Sequence, residues 1–264
     1  MAKRLGVLAY STHTGLGYQT RDYVKHLQPA KVLEINLSPL NGKQQHNWYP
    51  DAQKVVGYPK DHELREFLTG LDTVLMAETP LNYNLYSIAR QMGVRTVNVI
   101  NWEFFDHFVK PELPLPDVIV MPSVWHWEDA RSFAEQHGVE IYQIHHPVDR
   151  ADFPFRERHT AKPLHIAGNP AAEDRNGTWD FLAACHDGIV TTQSEELARH
   201  LRMRYRHCNV WTNIEDANHM YNLGDVMVLP RRYGGNCLPL NEALSTGMPV
   251  IMPDISPNNH LLPP

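Results

Sequence analysis

The chain of 264 residues and 30.3 kDa has room for one large domain or two small ones, and a composition of 42% hydrophobic and 20% charged residues excludes a mainly disordered or fibrous protein. A net charge of -6 is opposite in sign to that of a phosphate-backbone binder, which leaves nucleic acid as a substrate rather than a docking partner. Cys185, Cys208 and Cys237 lie 23 and 29 residues apart, fit neither a disulfide framework nor a CxxC metal knuckle, and point to a reducing cytoplasm.

Apolar, β-branched runs alternate with helix-period stretches almost to the end, the sequence form of βαβ units and a parallel sheet, so the fold class is α/β. Leu5–Tyr10 reads as a buried first strand, too short an apolar run for a signal-peptide core or a membrane span. Helical spacing follows over 16–27. Strands are then expected at Lys31–Leu37, Thr73–Ala77, Thr96–Ile100, Val118–Pro122 and Glu140–His145, with helices over 61–69, 83–92 and 124–137. Ser38–Pro59, rich in Asn, Gln, Gly and Pro, reads as a long loop with one weak strand. From Pro147 to Pro163 proline and polar residues interrupt both periodicities, which divides the chain into domains 1–155 and 156–264. The second domain repeats the rhythm, with strands at Leu164–Gly168, Ile189–Gln193, Cys208–Thr212, Val226–Leu229 and Val250–Pro253 and helices near 177–185, 194–203, 215–222 and 238–246. Two α/β units with a hinge would form a cleft at the strand carboxyl ends, the usual ligand site of open sheets.

Three loops carry residue types suited to an anionic ligand. Ser11-Thr12-His13-Thr14-Gly15-Leu16-Gly17 runs from the first strand into a helix; it is a ligand loop or a plain tight turn, since the third glycine of a dinucleotide fingerprint is missing. His165-Ile166-Ala167-Gly168-Asn169 leads to Arg175-Asn176-Gly177 and a helix, where Arg175 can grip two phosphate oxygens or lie solvated in a loop. Leu229-Pro230-Arg231-Arg232-Tyr233-Gly234-Gly235-Asn236-Cys237-Leu238-Pro239 runs from a buried strand through a Gly-Gly loop to a helix with proline in its first turn. That helix carries Glu242 within hydrogen-bond reach of a hydroxyl-bearing ligand and closes at Gly247.

In Leu229-Pro230, Gly235, Leu238-Pro239, Glu242-Ala243, Gly247, Pro249 and Val250 the chain resembles the large group of retaining, nucleotide-sugar-dependent glycosyltransferases of GT-B fold. Val120-Met121-Pro122-Ser123, His146-Pro147-Val148-Asp149, Gly168 with Arg175, and Gly15 with Gly17 extend the resemblance over most of the chain. Two departures stand out: Gly234, eight places before Glu242, replaces the first glutamate of the paired-glutamate motif, and Asn169 replaces an arginine. The resemblance implies two Rossmann-like domains facing a cleft, an N-terminal acceptor domain (1–155) and a C-terminal donor domain (156–264) that is shortened after Pro253. A partner or a second copy of the chain would then cover the exposed flank, and short relatives of this kind occur among phage enzymes.

The implied reaction is metal-independent transfer of a sugar, a hexose by the resemblance, from a nucleotide-sugar co-substrate to an acceptor hydroxyl with retention, without a cofactor. Gly15, Gly17, Gly168, Asn169, Arg175, Arg231, Gly234, Gly235, Asn236, Cys237, Leu238 and Glu242 form the expected donor site, and Arg175 stabilises the leaving diphosphate. Arg231 and Arg232 either add positive charge there or lie on the surface. In the first domain Glu103 and His107 either orient the acceptor hydroxyl or pack with their aromatic neighbours. The acceptor is a protein, a DNA base, a lipid, a glycan or a small molecule, and the compartment is the cytoplasm, the host's if the enzyme is phage-encoded. The histidines show no metal-ligand spacing, Trp125-His126-Trp127 suits core packing or a sugar platform, and Arg199, Arg202, Arg204 and Arg206 read as a solvated face. A nucleotide-sugar epimerase and a non-catalytic nucleotide- or sugar-binding protein are the alternatives.

Overall fold

Alternation along the first strand, β1 (Leu5–Ala9), sets the plan of the N-terminal part: Leu8 packs with Leu33, Phe67 and Met76 on one face, whereas Val7 and Ala9 pack with Leu75, Val99 and Val118 on the other. Both faces are therefore covered by helices and loops. The computed structural model describes residues 3–168, 173–212 and 217–261 and divides into two compact units, one up to His145 and one from His146 on.

In the first unit, α1 (Gly15–Leu27) follows β1, and β2 (Lys31–Asn36), α2 (Ser38–Asn41), β3 (Gln53–Val56), α3 (Asp61–Leu68) and β4 (Thr73–Ala77) continue the chain. Then come α4 (Asn84–Gln91), β5 (Arg95–Val99), α5 (Trp102–Phe108), β6 (Val118–Met121), α6 (Trp127–His137) and β7 (Glu140–Gln143). The sheet is parallel throughout in the order β3-β2-β1-β4-β5-β6-β7, with Val7 level with Val32 on one side and Leu75 on the other. The stretch expected as a loop holds a single helical turn at Ser38–Asn41 and its one strand on the sheet edge. Trp102–Phe108, which has no helix expectation, forms α5 because Phe105 and Trp102 bury an aromatic face with Phe133.

The second unit runs β8 (Pro163–Gly168), α7 (Thr178–Ala184), β9 (Ile189–Thr192), α8 (Glu195–Arg204), β10 (Asn209–Trp211), α9 (Ala217–Met220), β11 (Val226–Val228), α10 (Leu238–Ser245) and β12 (Val250–Ile251). Its parallel sheet has the order β10-β9-β8-β11-β12. Ser194 caps α8 by accepting from the Leu197 amide at 3.2 Å, the job its residue type suits. A short 3-10 turn at Asn258–His260 follows β12. The expected boundary at 155/156 falls in a segment that packs on the second unit: Phe153 lies in the core beside Leu164 and Tyr221, and the Arg158 guanidinium donates to the carbonyls of Tyr221, Gly224 and Thr246.

Candidate functional site

Both sheets begin inside and grow outward twice. In the second unit the chain goes from β8 to β9 and β10 on one side, then returns to β11 and β12 on the other. The carboxyl ends of β8 and β11 therefore diverge at a topological switch point, the place where open α/β sheets take ligands. The loops leaving these two strands hold Arg175, Arg231, Gly234, Gly235, Asn236 and Cys237 of the expected donor residues, and the Arg232 amide ties the loops together by donating to the Arg175 carbonyl at 2.9 Å. Beneath them lies His165, fully buried and stacked on Phe181. Its Nδ1 bonds the Val228 carbonyl at 2.9 Å and its Nε2 the Thr178 hydroxyl at 3.0 Å, so one imidazole joins β8, β11 and α7. Burial lowers its pKa to about 4, which keeps the ring neutral, with Nδ1 donating and Nε2 accepting.

The two helix starts at this switch point differ. Asp174 accepts from the α7 amides of Thr178 at 2.7 Å and Trp179 at 3.0 Å, so a carboxylate already occupies that anion seat. The N-cap residue of α10, Cys237, makes no side-chain cap hydrogen bond, and Pro239 lies in the first turn. The loop before α10 is shaped by Arg231, only 2% exposed, whose Nε donates to the Tyr233 carbonyl at 2.9 Å and whose Nη2 donates to the Asn236 carbonyl at 2.6 Å. The fully buried Asn258 donates in turn to the Arg231 carbonyl at 2.6 Å. Gly234 is buried with φ +138°, and a Cβ there would come within 1.8 Å of Arg231 Nη2. The backbone there calls for glycine, and any larger residue would have to displace the Arg231 guanidinium. Glu242 is half-buried on α10, and the hydroxyl of the fully buried Tyr221 donates to its Oε2.

The first unit has the same plan: β1 leads to β2 and β3 on one side, then β4 starts the other half. Thr14 caps α1 by accepting from the Gly17 amide at 3.1 Å. Gly17 is buried and a Cβ there would meet the Thr12 carbonyl oxygen at 2.0 Å, so this glycine serves close packing of the loop. Beside it His13 packs edge-on against His46 and Trp48, with Nδ1 2.7 Å from the Tyr18 hydroxyl and the Arg21 guanidinium over both Tyr18 and Trp48. At the end of β4, half-buried Glu78 takes a left-handed backbone with φ 61°. Its amide donates to the Val99 carbonyl at 2.7 Å and its carbonyl accepts from Asn98 Nδ2 at 3.0 Å. Burial raises the pKa of the Tyr10 and Tyr23 phenols, reinforced at Tyr10 by the Glu78 carboxylate and at Tyr23 by Asp22 ahead of Glu78.

No protein-family profile and no curated protein sequence matches the chain. Solved structures do. HepE of Anabaena, crystallised with UDP-glucose, superposes with a TM-score of 0.68 at 10% identity, covering 99% of this chain and 83% of its own. Sucrose-phosphate synthase of Thermosynechococcus elongatus gives 0.62 at 11% identity, covering 96% and 82%. An α-glucosyltransferase in complex with UDP and a 13-mer DNA containing an HMU base gives 0.56 at 9% identity, covering 88% and 73%. The fold is GT-B.

Within this GT-B chain, Gly168, Arg175, Arg231, Gly234, Gly235, Asn236, Cys237, Leu238 and Glu242 all lie at or beside the β8/β11 switch point, while Asn169 lies outside the described residues. Arg231 is a buried loop brace, which is neither of the roles expected of it, and Arg232 is an exposed residue 3.4 Å from Asp180. Gly15 and Gly17 open α1 at the β1/β4 switch point. Glu103 and His107 sit on α5 after β5, half-buried and exposed respectively. Glu78 has no signature in sequence: a lone carboxylate at a strand end carries no motif, and only the strand order marks it out. Among the described residues no group of three or more His, Cys, Asp or Glu side chains could hold a metal ion, and no helix is long and apolar enough to cross a membrane.

Proposed function

We propose that the chain transfers a sugar, a hexose by analogy with the UDP-glucose held by HepE, from a nucleotide-sugar donor to an acceptor hydroxyl with retention at the anomeric carbon. The observation that carries this reading is the start of α10 at the β8/β11 switch point: a helix N-terminus whose N-cap residue makes no side-chain cap hydrogen bond, beside a carboxylate held by the buried Tyr221 hydroxyl. Leaving-group departure builds negative charge on a diphosphate, and oriented amides with the Arg175 guanidinium stabilise such charge. Glu242 accepts hydrogen bonds from the ribose hydroxyls, with Tyr221 fixing its carboxylate. The acceptor hydroxyl gives its proton to the departing phosphate oxygen, so no protein nucleophile is needed.

A panel of nucleotide-sugars and free nucleoside diphosphates tests the reading by thermal stabilisation, because a ligand that binds only the native state raises its apparent stability. Donor hydrolysis and transfer are then followed by NMR, which reads the anomeric configuration of the product directly. The missing carboxylate at Gly234 favours a second reading, a non-catalytic nucleotide- or sugar-binding protein. Tight donor binding with neither hydrolysis nor transfer would select it.

A further inference from the structure

The reading above leaves the acceptor unnamed, and the first unit carries observations that bear on its chemistry. Glu78 opens the loop leaving β4, the strand paired with β1 where the halves of that sheet diverge. Left-handed backbone is unfavourable for a residue with a Cβ, and such residues persist where the surroundings over-determine them and the side chain is used. Here the turn is locked from β5 by the Val99 carbonyl and the Asn98 amide, and Asn101 Nδ2 reaches the carboxylate at 3.4 Å.

The polar atoms around this point have one character. Ser11 is fully buried and Asn101 is 8% exposed, and Ser11 Oγ and Asn101 Oδ1 have no hydrogen-bond partner among the described residues. Buried polar atoms are costly to leave unpaired. The Glu78 carboxylate and Asn101 Oδ1 are acceptors and the Ser11 hydroxyl both donates and accepts, a set that disfavours an anion and suits a ligand dense in hydroxyls. His13 of the same β1–α1 loop, Tyr18 of α1 and Trp48 ahead of β3 add half-buried rings, with the Arg21 guanidinium over Tyr18 and Trp48.

We propose that the β1/β4 switch point is a binding site for a polyhydroxylated, uncharged carbohydrate, with Glu78 as the residue that accepts from and orients its hydroxyl. As the acceptor site this rests on the glycosyltransferase reading; as a carbohydrate site it does not.

The test uses the full chain with methyl hexopyranosides as probes and nucleosides as controls, followed by saturation-transfer NMR, alongside nucleoside diphosphate affinity and sugar transfer. The wild type is expected to bind a hexopyranoside. Glu78→Gln should weaken that binding and raise the acceptor KM at least about tenfold while diphosphate affinity is unchanged, as expected for loss of a charge-assisted hydrogen bond. Glu78→Gly relieves the left-handed backbone, so its thermal midpoint should hold or rise while carbohydrate binding falls as in Glu78→Gln. Absence of hexopyranoside binding in the wild type, binding of nucleosides in its place, or undiminished binding by either variant would overturn the proposal. Failure of every nucleotide to bind would instead sink the transferase reading and leave a Glu78-dependent carbohydrate site standing.

Discussion

Gly234 and Glu242 lie on the same loop and helix, and the side chain of Arg231 explains why the first is a glycine: its guanidinium occupies the space where a residue at 234 would place its Cβ. Gly234→Glu should therefore not restore a second carboxylate to the site. The expected outcome is loss of the Arg231 bonds to Tyr233 and Asn236 and a destabilisation of about 1–3 kcal/mol, read as a lower denaturation midpoint. Glu242→Gln keeps shape and removes charge; diphosphate affinity should fall by about 1–3 kcal/mol with little change in melting temperature. Tyr221→Phe should lower affinity in the same assay by a smaller amount, since the carboxylate stays but loses its fixed orientation. Equal affinities in wild type and both variants would remove Glu242 from the donor site.

At the scale of elements, His165 joins two strands and a helix through one neutral ring, and its titration is a property of the whole assembly. Because the folded ring has its pKa near 4 and the unfolded ring near 6.5, the unfolded chain binds more protons between those values. Its contribution is intact above pH 6.5 and is lost as pH falls toward 4, with a slope approaching about 1.4 kcal/mol per pH unit. Urea unfolding of the second unit at pH 7 and pH 5 should show this loss, and His165→Gln should flatten the pH dependence. A second element-level expectation concerns α7: Asp174→Asn should cost up to about 1 kcal/mol of stability while strengthening diphosphate binding, since it removes a negative charge from the helix start. The strands of both sheets were legible because central parallel strands are short apolar runs between turn signals. Trp102–Phe108 was not, because its aromatic residues carry neither a clear 3.6 period nor a side-chain cap. The loop and helix start at α10 were legible through Leu238-Pro239 and Gly247. The burial of Arg231 was not, since two adjacent arginines look alike in sequence and only packing separates them.

For the whole molecule, each unit has its own cores, so each half should fold when made alone. The second needs its leading segment. A fragment 146–264 should melt cooperatively and bind nucleoside diphosphate, whereas 163–264, lacking Phe153 and Arg158, should lose several kcal/mol through the emptied core space and the unpaired carbonyls of Tyr221, Gly224 and Thr246. Equal stability of the two fragments in calorimetry would show that the segment contributes nothing.

The strand order also has a consequence during biosynthesis. β1 and β8 are the first strands of their sheets to leave the ribosome, yet both finish with a neighbour on each side. After β8, β9 and β10 have paired, one edge of β8 stays open until Val226–Val228 is synthesised, and its apolar faces lack the cover that α10 and the residues around Met227 provide. Nascent chains that pause in this interval present an unpaired parallel edge, the kind of surface that recruits chaperones or pairs with another copy. Chains truncated after Trp211 should accordingly aggregate, and extension through Ile251 should restore solubility.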